Sequence, residues 1–230
     1  MFWESDQTGG GVRGAAENTL RGIQSRRTGR DTGSDMHHEK FDIAHIERLD
    51  DEGRFRNLPP ELMWRALGEP APRAIVDIGA GTGLFARRFA ELAPQAEVYA
   101  VDIEPRMIAW MRDHTPDPLR ARLHALLGSE NAVPVASGEA DLVVMINLHH
   151  ELVDAPRSYA EAFRVLRGGG QLLVVDWAPG DGEHGPPQAI RATPEEIGAM
   201  VTSAGFDAIA FHPGLPDHSL LTARRPMASS

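Results

Sequence analysis

From Ala74 onward, short unbroken apolar runs alternate with stretches in which apolar residues recur every three or four positions. Runs of the first kind are strands covered on both faces, and stretches of the second kind are helices that pack on them. The pattern predicts strands at 74–78, 97–101, 123–127, 141–146 and 171–175. Between them it predicts helices at 84–92, 105–112 and about 157–166, the last stopped by Gly168-Gly169-Gly170. A helix from Thr193 to Gly205 carries its own start signal, a threonine cap with Glu196 three residues on. Two last strands, 207–212 and 219–223, are joined by Pro213-Gly214-Leu215-Pro216-Asp217, which is too short for a helical crossover, so they run antiparallel. Five βα units and a terminal hairpin define an α/β fold. It is a doubly wound, Rossmann-like sheet of seven strands, mostly parallel with an antiparallel C-terminal hairpin and helices on both faces.

Upstream of the sheet the period is helical. Phe41, Ala44, His45 and Leu49 share one face, and Pro59-Pro60 opens a second helix with Leu62, Met63, Ala66 and Leu67 as its stripe and Gly68 as its stop. Residues 1–35 are rich in Gly, Ser, Thr, Arg and Asp and bury too little to offset their ordering entropy. The expected organisation is a disordered tail at 1–35, a helical lid at 36–70 and the main domain at 71–225.

Composition narrows the function. With 230 residues, a net charge of −10 and a pI near 5.4, the chain lacks the basic face of a nucleic-acid binder. Cysteine is absent, which excludes disulfides, zinc–thiolate sites and thiol nucleophiles. No apolar run reaches the ~18 residues of a membrane span. The expectation is a cytoplasmic monomer or homodimer that acts on a small molecule, with no nucleic-acid or membrane partner.

The most informative segment is Val76-Asp77-Ile78-Gly79-Ala80-Gly81-Thr82-Gly83, where a buried strand turns through three alternating glycines into a helix. Glycine allows positive φ and a close ligand approach, and the N–H groups of the helix start face that ligand. A dinucleotide fingerprint G-x-G-x-x-G begun at Gly79 would need glycine at 84, where Leu84 stands. Asp77, just ahead of the turn, would repel a pyrophosphate and attract an amine. Asp102 at the end of the next strand supplies the second carboxylate that a nucleoside pocket needs. The chemistry favours a nucleoside with a cationic amino-acid tail.

These residues, followed by Ala100-Val101-Asp102-Ile103 and Met107, by Asp141-Leu142-Val143-Val144-Met145 and by Arg164-Val165-Leu166-Arg167-Gly168-Gly169-Gly170, closely resemble the class I S-adenosylmethionine-dependent methyltransferases. The similarity runs from about 40 to 225 and is nearest the small-molecule group that includes the ubiquinone/menaquinone-biosynthesis enzymes. The resemblance implies S-adenosylmethionine as methyl donor and S-adenosylhomocysteine as product. Asp77 and the backbone of Gly79, Ala80, Gly81 and Gly83 would hold the methionine end, Asp102 the ribose, and Ile103 the adenine, with Met107 in the same motif and Asn147 also in the cofactor site. Ser129, Glu130 and Asn131 would flank the adenine. Similar sequences usually carry aspartate at the position of Ser129, so Glu130 or Asn131 is the alternative partner of the adenine amine.

Ligands in such folds bind outside the carboxyl ends of the strands, here Asn147-Leu148-His149-His150-Glu151 and Asp176-Trp177. Methyl transfer needs an acceptor lone pair in line with the methyl group and often a base to take one proton. His149 or His150 suits that role, with an unperturbed pKa near ~6.5. Trp177 is a candidate aromatic wall, and His38, Phe41 and His45 of the lid are candidates for the acceptor pocket. A second triplet, His37-His38-Glu39, raises a metal site, but adjacent histidines point in different directions and no metal is assigned. The alternatives are a non-catalytic cofactor-binding sensor and, less favoured, a nicotinamide oxidoreductase.

Overall fold

The computed structural model describes residues 43–130, 132–180 and 185–227, with side chains from Ile46 onward. The chain opens with α1 (Ile43–Leu49), a 3₁₀ turn (Glu52–Arg56) and α2 (Pro60–Ala66). Then follow β1 (Ala74–Ile78), α3 (Leu84–Leu92), β2 (Glu97–Asp102), α4 (Pro105–His114), β3 (Leu123–Leu127) and β4 (Ala140–Ile146). The second half runs α5 (Ala155–Val165), β5 (Leu166–Trp177), α6 (Pro194–Ser203), β6 (Asp207–His212) and β7 (His218–Arg224). Short 3₁₀ turns lie at Asp117–Leu119, His149–Glu151 and Gln188–Ile190.

The seven strands form one sheet in the order β3-β2-β1-β4-β5-β7-β6. The chain winds outward from β1 to β3, returns to β4 on the other side of β1, and so opens a crevice between the carboxyl ends of β1 and β4. A doubly wound sheet binds its ligand at that reversal.

Each central strand is apolar on both faces because it divides two cores. Along β4, Leu142, Val144 and Ile146 pack with α2, α3 and α4 beside Met63, Phe89 and Met111. Val143 and Met145 alternate to the other side, among Tyr159, Ile197 and Val201 of α5 and α6. The helices start where their caps dictate. Asp154 accepts from Arg157 N–H at α5, and Thr193 with Glu196 forms a complete capping box at α6.

Two expectations are corrected in detail. Among the described residues no helix joins β3 to β4, so there are four complete βα units rather than five. The helix before the triple glycine ends at Val165, and β5 begins at once, with a register shift between Ala140 and Leu142 that takes up Gly168–Gly170. The last two strands pair antiparallel as expected, with β7 between β5 and β6 and β6 at the edge. The proposed tail at 1–35 and the start of the lid lie outside the described residues.

Candidate active site

The turn from β1 to α3 is built for a ligand at its mouth. Gly79 and Ala80 N–H both donate to Val101 O, at 2.9 and 3.0 Å, which ties the turn to β2. Gly79, Gly81 and Gly83 have φ of +73°, +55° and +77°. Their roles differ. A Cβ on Gly79 would lie 2.6 Å from Leu148 Cδ1, and one on Gly83 2.9 Å from Met111. At Gly81 a Cβ would meet nothing within 4 Å, because that position faces the cavity. Gly79→Ala should therefore cost at least about 1–2 kcal/mol from its backbone alone, read as a lower denaturant midpoint and weaker cofactor binding.

A cavity of about 650 Å³ lies over this turn, lined by Asp77, Gly79, Ala80, Gly81, Asp102, Ile103 and Met107 among others. Asp102 holds its rim in shape: Oδ2 accepts from Gly81 N–H at 2.7 Å and Oδ1 from Glu104 N–H at 2.9 Å. Asp77 is only 2% exposed, and its Oδ2 has no hydrogen-bond partner among the described residues. Burial, and then the nearby charge of Asp102, push its carboxyl up to about 8, while Arg54 pulls the other way. Asn147, which lines the same cavity, sits at φ +54° with Oδ1 buried and likewise unpartnered among the described residues. Two orphaned acceptors facing one cavity call for a donor-rich cation.

On the opposite side, Ser129, Glu130, Ala132 and Val133 line the cavity. Ser129 and Ala132 close a small bridge of N–H to O bonds at 3.1 and 3.2 Å. Helix α5 clasps the loop that follows. Glu161 Oε2 accepts from Val133 N–H at 2.9 Å, and Arg164 donates to Val133 O, Val135 O and Ser137 Oγ at 2.8, 2.9 and 3.1 Å. The Arg164–Glu161 ion pair, at 2.8 Å, fixes the clasp itself. Asn131 lies outside the described residues.

The end of β4 separates the two histidines. His149 is buried away from the cavity lining, its Nδ1 2.9 Å from the Tyr159 hydroxyl, and burial holds its pKa below the ordinary value. His150 lines the cavity and donates from Nδ1 to Asp176 Oδ1 at 2.8 Å. Burial opposes charge on His150, but the Asp176 hydrogen bond and charge outweigh it and raise its pKa. Asp176 is 1% exposed and also accepts from His149 N–H at 2.7 Å and Trp177 N–H at 2.8 Å.

Trp177 lines the cavity with its ring held from behind. His218 lies 4.1 Å from it centroid to centroid, and the Arg191 guanidinium sits 5.2 Å over it. His218 itself is driven by burial down to about 4, so its ring packs uncharged.

The structure brings together Asp77, Gly79, Ala80, Gly81, Asp102, Ile103, Met107, Ser129, Glu130, Asn147, His150 and Trp177. It turns Gly83 toward Met111 and His149 toward Tyr159. His38 and Phe41 lie outside the described residues, as does the side chain of His45. Sequence reasoning passed over Leu49, Arg54 and Phe85, which also line the cavity, and the link from Asp176 to His150. Among the described residues no group of three metal-ligating side chains converges.

A doubly wound sheet with a carboxylate before its glycine turn and another at the end of the next strand defines a nucleoside-binding enzyme of the methyl-transfer class. Comparisons with known proteins agree. A methyltransferase-domain family model matches residues 76–174. The chain is 31% identical over 175 residues to a ubiquinone/menaquinone biosynthesis C-methyltransferase of Dinoroseobacter shibae, covering 61% of this chain and 70% of that one. It is 38% identical over 106 residues to a malonyl-[acyl-carrier protein] O-methyltransferase of Hahella chejuensis, covering 46% of this chain and 37% of that one. The fold matches a SAM-dependent methyltransferase from Aquifex aeolicus with a TM-score of 0.72 at 23% identity, over 81% of this chain and all of that one. The chain belongs to the class I S-adenosylmethionine-dependent methyltransferases, and S-adenosylmethionine is its cofactor.

The residues fit that cofactor. Asp77 and Asn147 would offer acceptors to its ammonium, Gly81 would leave room for its backbone approach, and Ile103 and Met107 would supply an apolar wall beside Asp102. Among the described residues no helix is long and apolar enough to cross a membrane.

Proposed function

We propose that this protein methylates an oxygen, nitrogen or sulfur nucleophile of a small molecule, with His150 as the base that takes the acceptor's proton. S-adenosylmethionine supplies an electrophilic methyl group on a sulfonium. The chain's own residues position the acceptor and accept its proton. The observation that carries the reading is the His150–Asp176 pair at 2.8 Å, on the cavity wall beside Trp177. Asp176 fixes the Nδ1–H tautomer, which leaves Nε2 as the proton acceptor. The carboxylate stabilises the imidazolium that forms, as an orienting third group does in other base-assisted sites.

A small acceptor suits the enclosed cavity, and the acidic balance of the chain opposes nucleic acid. The two curated relatives are named as carbon and oxygen methyltransferases, so the acceptor atom is read from this chain's own chemistry. The test is S-adenosylhomocysteine release across a panel of phenols, amines and thiols, with product mass and position determined. Turnover with at least one class, reduced in His150→Gln, supports the proposal. Binding of S-adenosylhomocysteine with no turnover on any acceptor supports the sensor alternative, and ring-carbon methylation of the phenols would correct the acceptor atom.

A further inference from the structure

Trp177, which closes β5 and lines the cavity beside His150, lies beyond the span 76–174 that the methyltransferase model matches. So do the three residues that bear on its ring, Gly185, Arg191 and His218. Arg191 follows the 3₁₀ turn at Gln188–Ile190. Its Nε donates to Pro186 O at 2.9 Å and its Nη1 to Ala178 O at 3.3 Å, so one guanidinium ties together the two ends of the connection that leaves β5. The same guanidinium sits 5.2 Å over the indole, a cation–π contact. Ala178 N–H also donates to Asp217 O at 3.0 Å, which fastens the connection to the residue before β7.

Gly185 presses on the ring as well. It has φ +88°, and a Cβ there would lie 2.7 Å from Cε3 and 2.8 Å from Cδ2 and Cζ3 of Trp177. The imidazole of His218, paired with Trp177 in the β5–β7 register, completes the support at 4.1 Å. Cation, backbone and imidazole leave the indole little room to retreat when a ligand presses on it. A packed wall that cannot give turns each added substituent into strain.

Resting on the reading that the acceptor lies between His150 and Trp177, we propose that Gly185 and Arg191 set the acceptor specificity of this site by fixing how far the Trp177 ring stands into the cavity. Both are positioning residues that act through the ring. The property they select is the width of the acceptor: slim molecules reach His150, and those with bulk beside the nucleophile are held off.

The test is the ratio of kcat/KM between slim and wide acceptors, measured on the full chain with S-adenosylmethionine. Phenol and thiophenol are each used bare, with two meta methyl groups, and with two meta tert-butyl groups. The wild type should favour the slimmer acceptor by about 10-fold or more at each step. Gly185→Ala drives a methyl group at the ring and should sharpen that preference by about 10-fold. Arg191→Gln keeps a donor for the loop carbonyls but removes the cation over the ring, and should relax the preference by about 2- to 10-fold. Arg191→Lys restores a cation and should recover part of it. In a Trp177→Ala background neither Gly185→Ala nor Arg191→Gln should move the ratio, because the residue through which they act is gone.

Equal losses for slim and wide acceptors would show that Gly185 and Arg191 serve the fold alone, and would overturn the proposal. So would a change of ratio that persists in Trp177→Ala. Should Gly185→Ala misfold by circular dichroism, the Arg191 variants with and without Trp177 decide the matter alone. Turnover that Trp177→Ala leaves unchanged for every acceptor, or no turnover of either series by the wild type, would overturn the reading of the acceptor site itself, a result distinct from the others.

Discussion

Asp77→Asn should yield a protein that melts higher than the wild type above pH 7 and yet holds its cofactor more weakly. The carboxyl of Asp77 is pushed up to about 8 in the folded chain, against an ordinary aspartate value in the unfolded one. Between those two values the folded state binds the extra proton, so its stability falls as pH rises and levels off only above about 8. The contribution is full below the unfolded pKa and lost across that window. Removing the ionisable group removes the penalty. Its size at pH 7–8 is on the order of a few kcal/mol, which at this chain length means a Tm gain of several degrees, at about 2–4 °C per kcal/mol.

The same substitution deletes the negative charge that would answer the cofactor's ammonium in a buried site. A charge-assisted hydrogen bond of about 1.5–3 kcal/mol is lost, so S-adenosylhomocysteine should bind roughly 10- to 150-fold more weakly. Differential scanning fluorimetry of both proteins from pH 5 to 9, alone and with S-adenosylhomocysteine, checks both halves. The informative quantity is the gap in Tm between the two ligand-free curves, since every other titrating group is common to them. A gap that does not widen with pH would show that Asp77 is not held at a raised pKa. Such a residue destabilises the empty fold for the sake of its ligand.

Most of this scaffold could be read from the chain because its causes are local. Unbroken apolar runs such as Val143–Met145 in β4 mean burial on both faces, and that holds whatever the partners. The phase of Gly79, Gly81 and Gly83 is equally local, since each glycine answers a positive φ in one turn. Even so, only geometry shows that Gly81 faces the cavity while Gly83 faces Met111.

What escaped the sequence depends on distant contacts. Arg54 sits in a five-residue 3₁₀ turn, too short for any period to mark its inward face, and its aim comes from Asp50 gripping Arg87. The His149-His150 pair was legible as chemistry but not as two roles. In the 3₁₀ turn that carries them, successive side chains diverge by about 120°, so one enters the core and the other the cavity. Which goes where is decided by Tyr159 and Asp176, residues 10 and 26 positions away from their histidines. The absent helix between β3 and β4 follows the same logic. Val133, Val135 and Ser137 of the connecting segment are held to α5 by Arg164 and Glu161 instead of by a helix of their own.

The other large effect falls on His150. As a base it must be neutral, and its pKa is raised above the ordinary histidine value, chiefly by Asp176 working against burial. The rate at saturating cofactor should therefore climb with pH and reach its plateau above about 6.5, the unperturbed value. Asp176→Asn removes the group that favours the imidazolium, so the rising limb should move to lower pH. Its plateau should also drop, because the imidazole loses the partner that fixes its tautomer. His150→Gln should abolish the limb and lower kcat by about 10²–10⁴-fold, the usual contribution of a positioned base, while S-adenosylhomocysteine binds as before. The loss should be largest for acceptors that give up their proton during transfer, such as alcohols and weakly acidic phenols. It should shrink for thiols assayed above their own pKa, which arrive as thiolates and need no base. That dependence on acceptor acidity separates a proton-accepting His150 from one that only shapes the wall, since a wall residue would slow every acceptor alike.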